Sequence, residues 1–189
     1  MNILFNNYNY IITNEDFLTD EEIDKLNGVI TKLPAKDKKD LSLIADIGSF
    51  GPRCRDIETN EENQWLYEKV LATVTQCNNQ FFHMKLTGSD LFEHQTYASV
   101  GSHLKAHRDI SNEYFQKKIR FNIQLSDSEH YEGGDMLIYE KSIEAPFEVS
   151  RKKGSIVIFA SSLFLHEVKP ISSGQMASVT GCFYGPPLE

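Results

Sequence analysis

The chain has 189 residues, 40% of them hydrophobic and 11% aromatic, which suits one domain with a sizeable core and is too rich in core formers for a disordered polymer. Its 27 acidic and 19 basic residues give a net charge of −8, a field that repels phosphate backbones, so no nucleic-acid partner is expected. The short basic runs at Lys36–Lys39 and Arg151–Lys153 read as solvated loop charge.

Residues 3–12 are apolar-rich and predicted to be extended. They lack the basic start and apolar stretch of a signal peptide, and no apolar run approaches the roughly 20 residues of a membrane span. Cys54, Cys77 and Cys182 are far apart and form no CxxC pair. A soluble, reduced, cytoplasmic chain with no membrane partner is therefore expected. Thr19-Asp-Glu-Glu22 has the form of a capping box, predicting a helix to about Thr31 with Leu18, Ile23, Leu26 and Ile30 on one side. The stretch 36–60 mixes Lys, Asp and Gly51-Pro52 and predicts loop with short strands. A second helix is predicted over about 62–79, with Leu66, Val70, Val74 and Cys77 on one face.

After Phe81 the texture changes to short apolar or alternating runs, at 82–87, 91–98, 117–126, 135–140, 146–149, 155–160 and 176–184. Two helices followed by seven or more strands is an α+β order, and antiparallel strands in this number close as a barrel or jelly roll. The expected organisation is a single domain over 1–189, with a helical part to about residue 80 packed on one sheet of a β core at about 81–187.

His107-Arg-Asp109 places an imidazole and a carboxylate at i and i+2, on the same side of an extended segment. His166 follows the apolar strand Gly154-Ser-Ile-Val-Ile-Phe159 and is the candidate third ligand. Two histidines and one carboxylate make a facial triad that leaves three positions open and suits Fe(II) working with O₂. His83, His94, His103 and His130 have no comparable setting.

The surroundings of these residues carry a family likeness. Tyr97-Ala-Ser-Val-Gly101-Ser-His-Leu-Lys-Ala-His107-Arg-Asp109 resembles the segment before the iron ligands in prolyl-hydroxylase-like 2-oxoglutarate oxygenases. Lys118-Ile-Arg-Phe-Asn-Ile-Gln-Leu-Ser126 and Tyr131-Glu-Gly-Gly-Asp-Met-Leu137 resemble their next strand pair. Gly154–Phe159, His166-Glu-Val-Lys-Pro170, Ser173-Gly174 and Gly185-Pro186 resemble their distal-histidine segment, and Arg53-Cys-Arg-Asp56 and Trp65-Leu-Tyr67 sit where bacterial and phage members carry similar phrases. The likeness spans roughly 50–187, in order. It implies a double-stranded β-helix with Fe(II) on His107, Asp109 and His166. It also implies 2-oxoglutarate and O₂ as cosubstrates, with oxidative decarboxylation to succinate and CO₂ coupled to hydroxylation of a C–H bond. The partner it implies is a peptide, whose hydroxylated residue could be proline, or a small molecule; the oligomeric state is left open.

Two departures from the family stand out. An Arg or Lys usually anchors the far carboxylate of 2-oxoglutarate nine to ten residues after the distal histidine, whereas this chain has Gln175 and Met176 there. Leu104 stands where many relatives have tyrosine. In Arg120-Phe-Asn-Ile-Gln-Leu125 the polar residues form one alternating set, on a strand whose counterpart in the family turns one face into the cosubstrate pocket. The expectation is that Arg120 takes over the anchoring role, with Tyr97 and Gln124 as hydrogen-bond donors and Asn122 on the same face. Arg53 and Arg55, in a loop at 46–58, are candidates for the substrate entrance. Beside the 2-oxoglutarate hydroxylase stand two other readings: an iron oxygenase that dispenses with 2-oxoglutarate or takes a different oxo acid, favoured by Met176, and a non-catalytic binding module on the same scaffold.

Overall fold

Thr19 starts the first helix as its neighbours dictate. In the computed structural model, which describes residues 10–35, 51–109, 116–140 and 144–187, the Glu22 amide donates to the Thr19 hydroxyl at 3.3 Å. The Glu22 carboxylate accepts from the Thr19 amide at 3.0 Å, so two orphan donors are satisfied reciprocally. Helix α1 (Asp20–Ile30) buries Ile23, Leu26, Val29 and Ile30. Helix α2 (Gln64–Cys77) buries Leu66, Val70, Thr73, Val74 and Cys77. The strand predicted at 82–87 is absent. Instead α2 runs into a π-helical turn, Asn78–Phe82, closed by His83 at φ 52°, and the Asn78 side chain bonds both the N–H and the C=O of Met84. Most of the expected extended stretch at 3–12 and the basic run Lys36–Lys39 lie outside the described residues.

Among the described residues the strands form three antiparallel sheets. The largest has the order β1 (Ile11–Asn14), β10 (Ile156–Phe159), β6 (Gln116–Gln124), β13 (Met176–Gly185), β4 (Phe92–Tyr97), β2 (Arg53–Ile57), with β3 (Gly88–Ser89) also paired to β13. A four-stranded sheet has the order β5 (Leu104–His107), β11 (Leu165–Val168), β8 (Met136–Tyr139), β9 (Phe147–Glu148). A third pairs β12 (Ile171–Gly174) with β7 (Tyr131–Gly133). This is the expected α+β double-stranded β-helix.

The period-2 pattern of β6 decides which side of the large sheet meets the helices. Ile119, Phe121 and Ile123 join Val179, Phe183, Phe92 and Ile57 in one core cluster with Leu26, Leu66, Val70 and Val74 of the helices. Each such side chain contributes roughly 1.5–3 kcal/mol on full burial. The alternate residues, Arg120, Asn122 and Gln124 of β6 with Ser178, Thr180 and Cys182 of β13, therefore face into the barrel. Gln124, Ser178, Thr180 and Cys182 are all buried there. A smaller cluster of Tyr97, Tyr131, Val168, Ile171 and Met176 closes one end. Among the described residues no helix is long and apolar enough to cross a membrane, and all three cysteines are free and buried.

Candidate metal centre

Sheet register brings the two histidines together. His107 is the last residue of β5 and His166 lies in β11, and the antiparallel pairing of these strands makes them direct cross-strand partners. Their ring centroids are 4.3 Å apart. Asp109 follows β5 by two residues, and its backbone N–H is held by the Ser161 carbonyl at 3.1 Å, in the connection between β10 and β11. The ligand atoms of His107, Asp109 and His166 all lie within 4.8 Å of one another. Chain positions 59 residues apart thus form one donor set.

Both imidazoles are oriented by backbone oxygen. His107 Nδ1 lies 2.8 Å from the Lys105 carbonyl and His166 Nδ1 lies 3.1 Å from the Phe164 carbonyl. A carbonyl can only accept, so each Nδ1 carries its proton and each Nε2 keeps a lone pair. His166 Nε2 is buried with no hydrogen-bond partner. A buried nitrogen lone pair beside a carboxylate and a second imidazole is the donor set a divalent ion would complete. Burial, followed by the charge of Arg120, pushes His166 down to about 3; burial likewise lowers His107. Both rings are therefore neutral at physiological pH, the form that binds metal.

Arg120 governs the electrostatics of the carboxylate. Its Nε and Nη2 donate to the two oxygens of Asp109 at 2.8 and 2.7 Å, and its Nη1 donates to Thr180 Oγ1 at 3.1 Å. Burial works against the charged form of Asp109, but the Arg120 guanidinium outweighs it and holds the carboxyl well below the usual range. The Cys182 thiol lies 3.4 Å from Asp109 Oδ2, and burial pushes it up to about 12, so it stays protonated.

A cavity opens beside His166. One wall is polar, with Gln95, Tyr97, Arg120, Asn122 and Thr180, and the other is largely apolar, with Leu104, Met136 and Val168. Tyr97 donates to Gln95 Oε1 at 3.2 Å, and Gln95 Nε2 donates to Glu93 at 2.7 Å. Gln124 is not on this lining; its amide donates to Tyr131 Oη at 2.7 Å and to the Ser126 carbonyl at 3.3 Å. Met176 is buried in the small apolar cluster at the end of the barrel. Arg53 and Arg55 pair with Thr96 and His94, on the side of the large sheet where Ile57 and Phe92 meet the helices. They point away from Gln95 and Tyr97, and Arg55 Nε donates to the Leu33 carbonyl. Thr180 and Cys182 were missed from sequence; the alternation of small and polar side chains along 176–182 was the available signal.

A family profile described as the 2OG-Fe(II) oxygenase superfamily matches residues 92–184. A PKHD-type hydroxylase of Crocosphaera subtropica is 31% identical over 180 residues, covering 90% of this chain and 77% of the relative. The chain belongs to the 2-oxoglutarate/Fe(II) oxygenase superfamily. A PKHD-type hydroxylase of Rippkaea orientalis is 24% identical over 178 residues, with the same coverage of 90% and 77%. Among solved structures, a prolyl hydroxylase from Trichoplax adhaerens, in complex with a hypoxia inducible factor peptide fragment, has the same fold. Its TM-score is 0.75 at 17% identity, covering 94% of this chain and 84% of that one. A viral collagen prolyl hydroxylase of Paramecium bursaria Chlorella virus-1 has a TM-score of 0.63 at 16% identity, covering 95% and 97%. This oxygenase is a 2-oxoglutarate/Fe(II)-dependent dioxygenase with the fold of prolyl hydroxylases, using Fe(II), 2-oxoglutarate and O₂. Its residues fit the metal: when bound at His107, Asp109 and His166, the iron supplies the redox chemistry that couples 2-oxoglutarate decarboxylation to hydroxylation.

Proposed function

We propose that this oxygenase hydroxylates a residue of a peptide, with proline the first side chain to test. The observation that carries the proposal is the asymmetry of the triad. Asp109 and His166 are buried, whereas His107 is partly exposed at the end of β5, which among the described residues is an outer strand of the four-stranded sheet. The site therefore meets solvent along a strand edge, where an extended peptide can lie across it with its backbone groups paired. The relatives named as PKHD-type hydroxylases and the fold-mate in complex with a peptide support the same substrate class.

The chain's own residues have separable parts in this activity. His107, Asp109 and His166 hold the metal, with the imidazoles fixed in the metal-binding tautomer by the carbonyls of Lys105 and Phe164. Leu104, Met136 and Val168 keep one cavity wall dry, which protects the reaction from water. Asn122 stands on the opposite wall, where its amide can orient a bound acid by hydrogen bonding, beside Tyr97, whose hydroxyl is directed to Gln95.

The test is succinate formation by the Fe(II) enzyme with 2-oxoglutarate, compared across proline-containing peptides, peptides lacking proline and free amino acids. Stimulation by proline peptides, with one oxygen atom gained on proline by mass spectrometry, is the expected result. Stimulation by free amino acids alone would move the assignment to a small-molecule hydroxylase.

A further inference from the structure

The cavity has one fixed cation among the described residues that line it, and that cation is already holding a metal ligand. Arg120 donates through Nε and Nη2 to Asp109 and through Nη1 to Thr180. Thr180 is itself fixed, since its hydroxyl donates to the Phe121 carbonyl at 2.8 Å. Strands β6 and β13 and the segment after β5 therefore set the guanidinium plane from three directions. A guanidinium carries five N–H donors, and three are engaged, so two are left for a ligand in the cavity. Among the described residues of the lining the one carboxylate, Glu167, is turned to Lys169 at 2.8 Å and to the Tyr139 hydroxyl.

Charge balance points to what that ligand is. A divalent ion, ionised Asp109, Arg120 and a dianionic oxo acid together carry no net charge. An oxo acid without a distal carboxylate leaves the two remaining N–H groups of the guanidinium without an acceptor in a largely buried site, which is costly. Met176 supplies no cation; it lies among Tyr97, Tyr131, Val168 and Ile171. We propose that Arg120 selects the cosubstrate, with one guanidinium holding both Asp109 and, through its two remaining N–H groups, the distal carboxylate of 2-oxoglutarate. The proposal deepens the hydroxylase reading and rests on 2-oxoglutarate being the cosubstrate. It also makes Arg120 the link between metal ligand and cosubstrate, a role that two separate cations could not couple.

The experiment is anaerobic titration of the Fe(II)-loaded enzyme, followed by visible absorption and by calorimetry. The ligands are 2-oxoglutarate and 2-oxopentanoate, which keeps the chelating head but carries a methyl in place of the distal carboxylate. The unaltered enzyme is expected to favour 2-oxoglutarate by on the order of a hundredfold, the scale of a charge-assisted bidentate contact. Arg120→Gln is expected to reduce that preference to below about tenfold, by weakening 2-oxoglutarate alone. Adding Met176→Arg to Arg120→Gln is expected to restore it. A preference that survives Arg120→Gln, or a parallel loss of both acids, overturns the proposal and leaves Arg120 as a support for Asp109 only. If Arg120→Gln does not retain iron, Arg120→Lys keeps a cation beside Asp109 and carries the same comparison, since an ammonium lacks the fork. An unaltered enzyme that chelates neither acid sinks the 2-oxoglutarate reading itself; one that chelates both equally sinks only the role of Arg120.

Discussion

Arg120 and Asp109 meet side-on, two donors to two oxygens, with side chains only 14% and 6% exposed. The other hydrogen bonds at the pair, Arg120 to Thr180 and Cys182 to Asp109, are to neutral groups. Breaking a buried pair from one side costs about 3–5 kcal/mol, because the survivor is left unpaired in a poorly solvated place. Asp109→Asn is therefore expected to lower unfolding free energy by about that amount as well as to abolish tight metal binding. The double variant Asp109→Leu/Arg120→Met is expected to recover most of the stability and none of the metal affinity. Denaturant titration and metal calorimetry on the three proteins separate the two effects.

Removing His166 should act on the metal far more than on the fold. Its Nε2 has no hydrogen-bond partner among the described residues, so His166→Ala forfeits the Nδ1 bond to Phe164 and the ring contacts with Phe159 and His107. Thermal melting of metal-free protein should shift by a few degrees at most. The melting-point gain that saturating Fe(II) or Co(II) gives the unaltered enzyme should disappear, because that gain follows the binding constant.

His94 gives the fold an acid limit. Burial, reinforced by Arg55 across the β2–β4 pair and partly offset by Glu93, pushes it down to about 4, against about 6.5 in an unfolded chain. The unfolded state thus binds the extra proton first, and stability rises with pH through this window. The contribution of neutral His94 is complete above about pH 6.5 and lost as pH falls through about 4. Unfolding free energies measured between pH 4 and 7 should fall less steeply for His94→Gln than for the unaltered protein, roughly by up to one proton. Parallel slopes would show that His94 is not the group responsible.

Two glycines make an opposed pair of expectations. Gly28 is exposed within α1, and a Cβ there meets nothing within 4 Å, so Gly28→Ala should stabilise by about 0.5–1 kcal/mol. Gly174 has φ +72° at the end of β12, and a Cβ there comes 2.1 Å from the His130 carbonyl oxygen. Gly174→Ala should cost more than about 2 kcal/mol, since both backbone strain and a clash with main chain must be relieved. Denaturant midpoints check both.

What could be read from the residues divides by range. The capping box at Thr19, the apolar faces of α1 and α2, and the alternation of β6 are local patterns, and each is present in the structure. The i, i+2 spacing of His107 and Asp109 is local too, and the family likeness supplied His166. The alternation showed that Arg120 shares a face with Asn122, but not that this face holds the cavity wall beside Asp109, because that depends on the β6–β13 and β6–β10 registers. The direction of Arg53 and Arg55 depends in the same way on pairing with β4, which no feature of 53–57 announces. The π-helical turn at 78–82 has no periodic signal of its own; the Asn78 side chain that reaches past it to bond Met84 is a single residue.

The direct opposition of His107 and His166 across β5 and β11 turns iron loading into a checkpoint on chain assembly. A slip of one residue between those strands would swing an imidazole to the wrong side of the sheet, so a misaligned or half-formed molecule has nowhere to take the ion. Tight uptake of iron therefore demands that pairing in its proper alignment, and a molecule whose strands have slipped there stays unloaded however much iron is supplied.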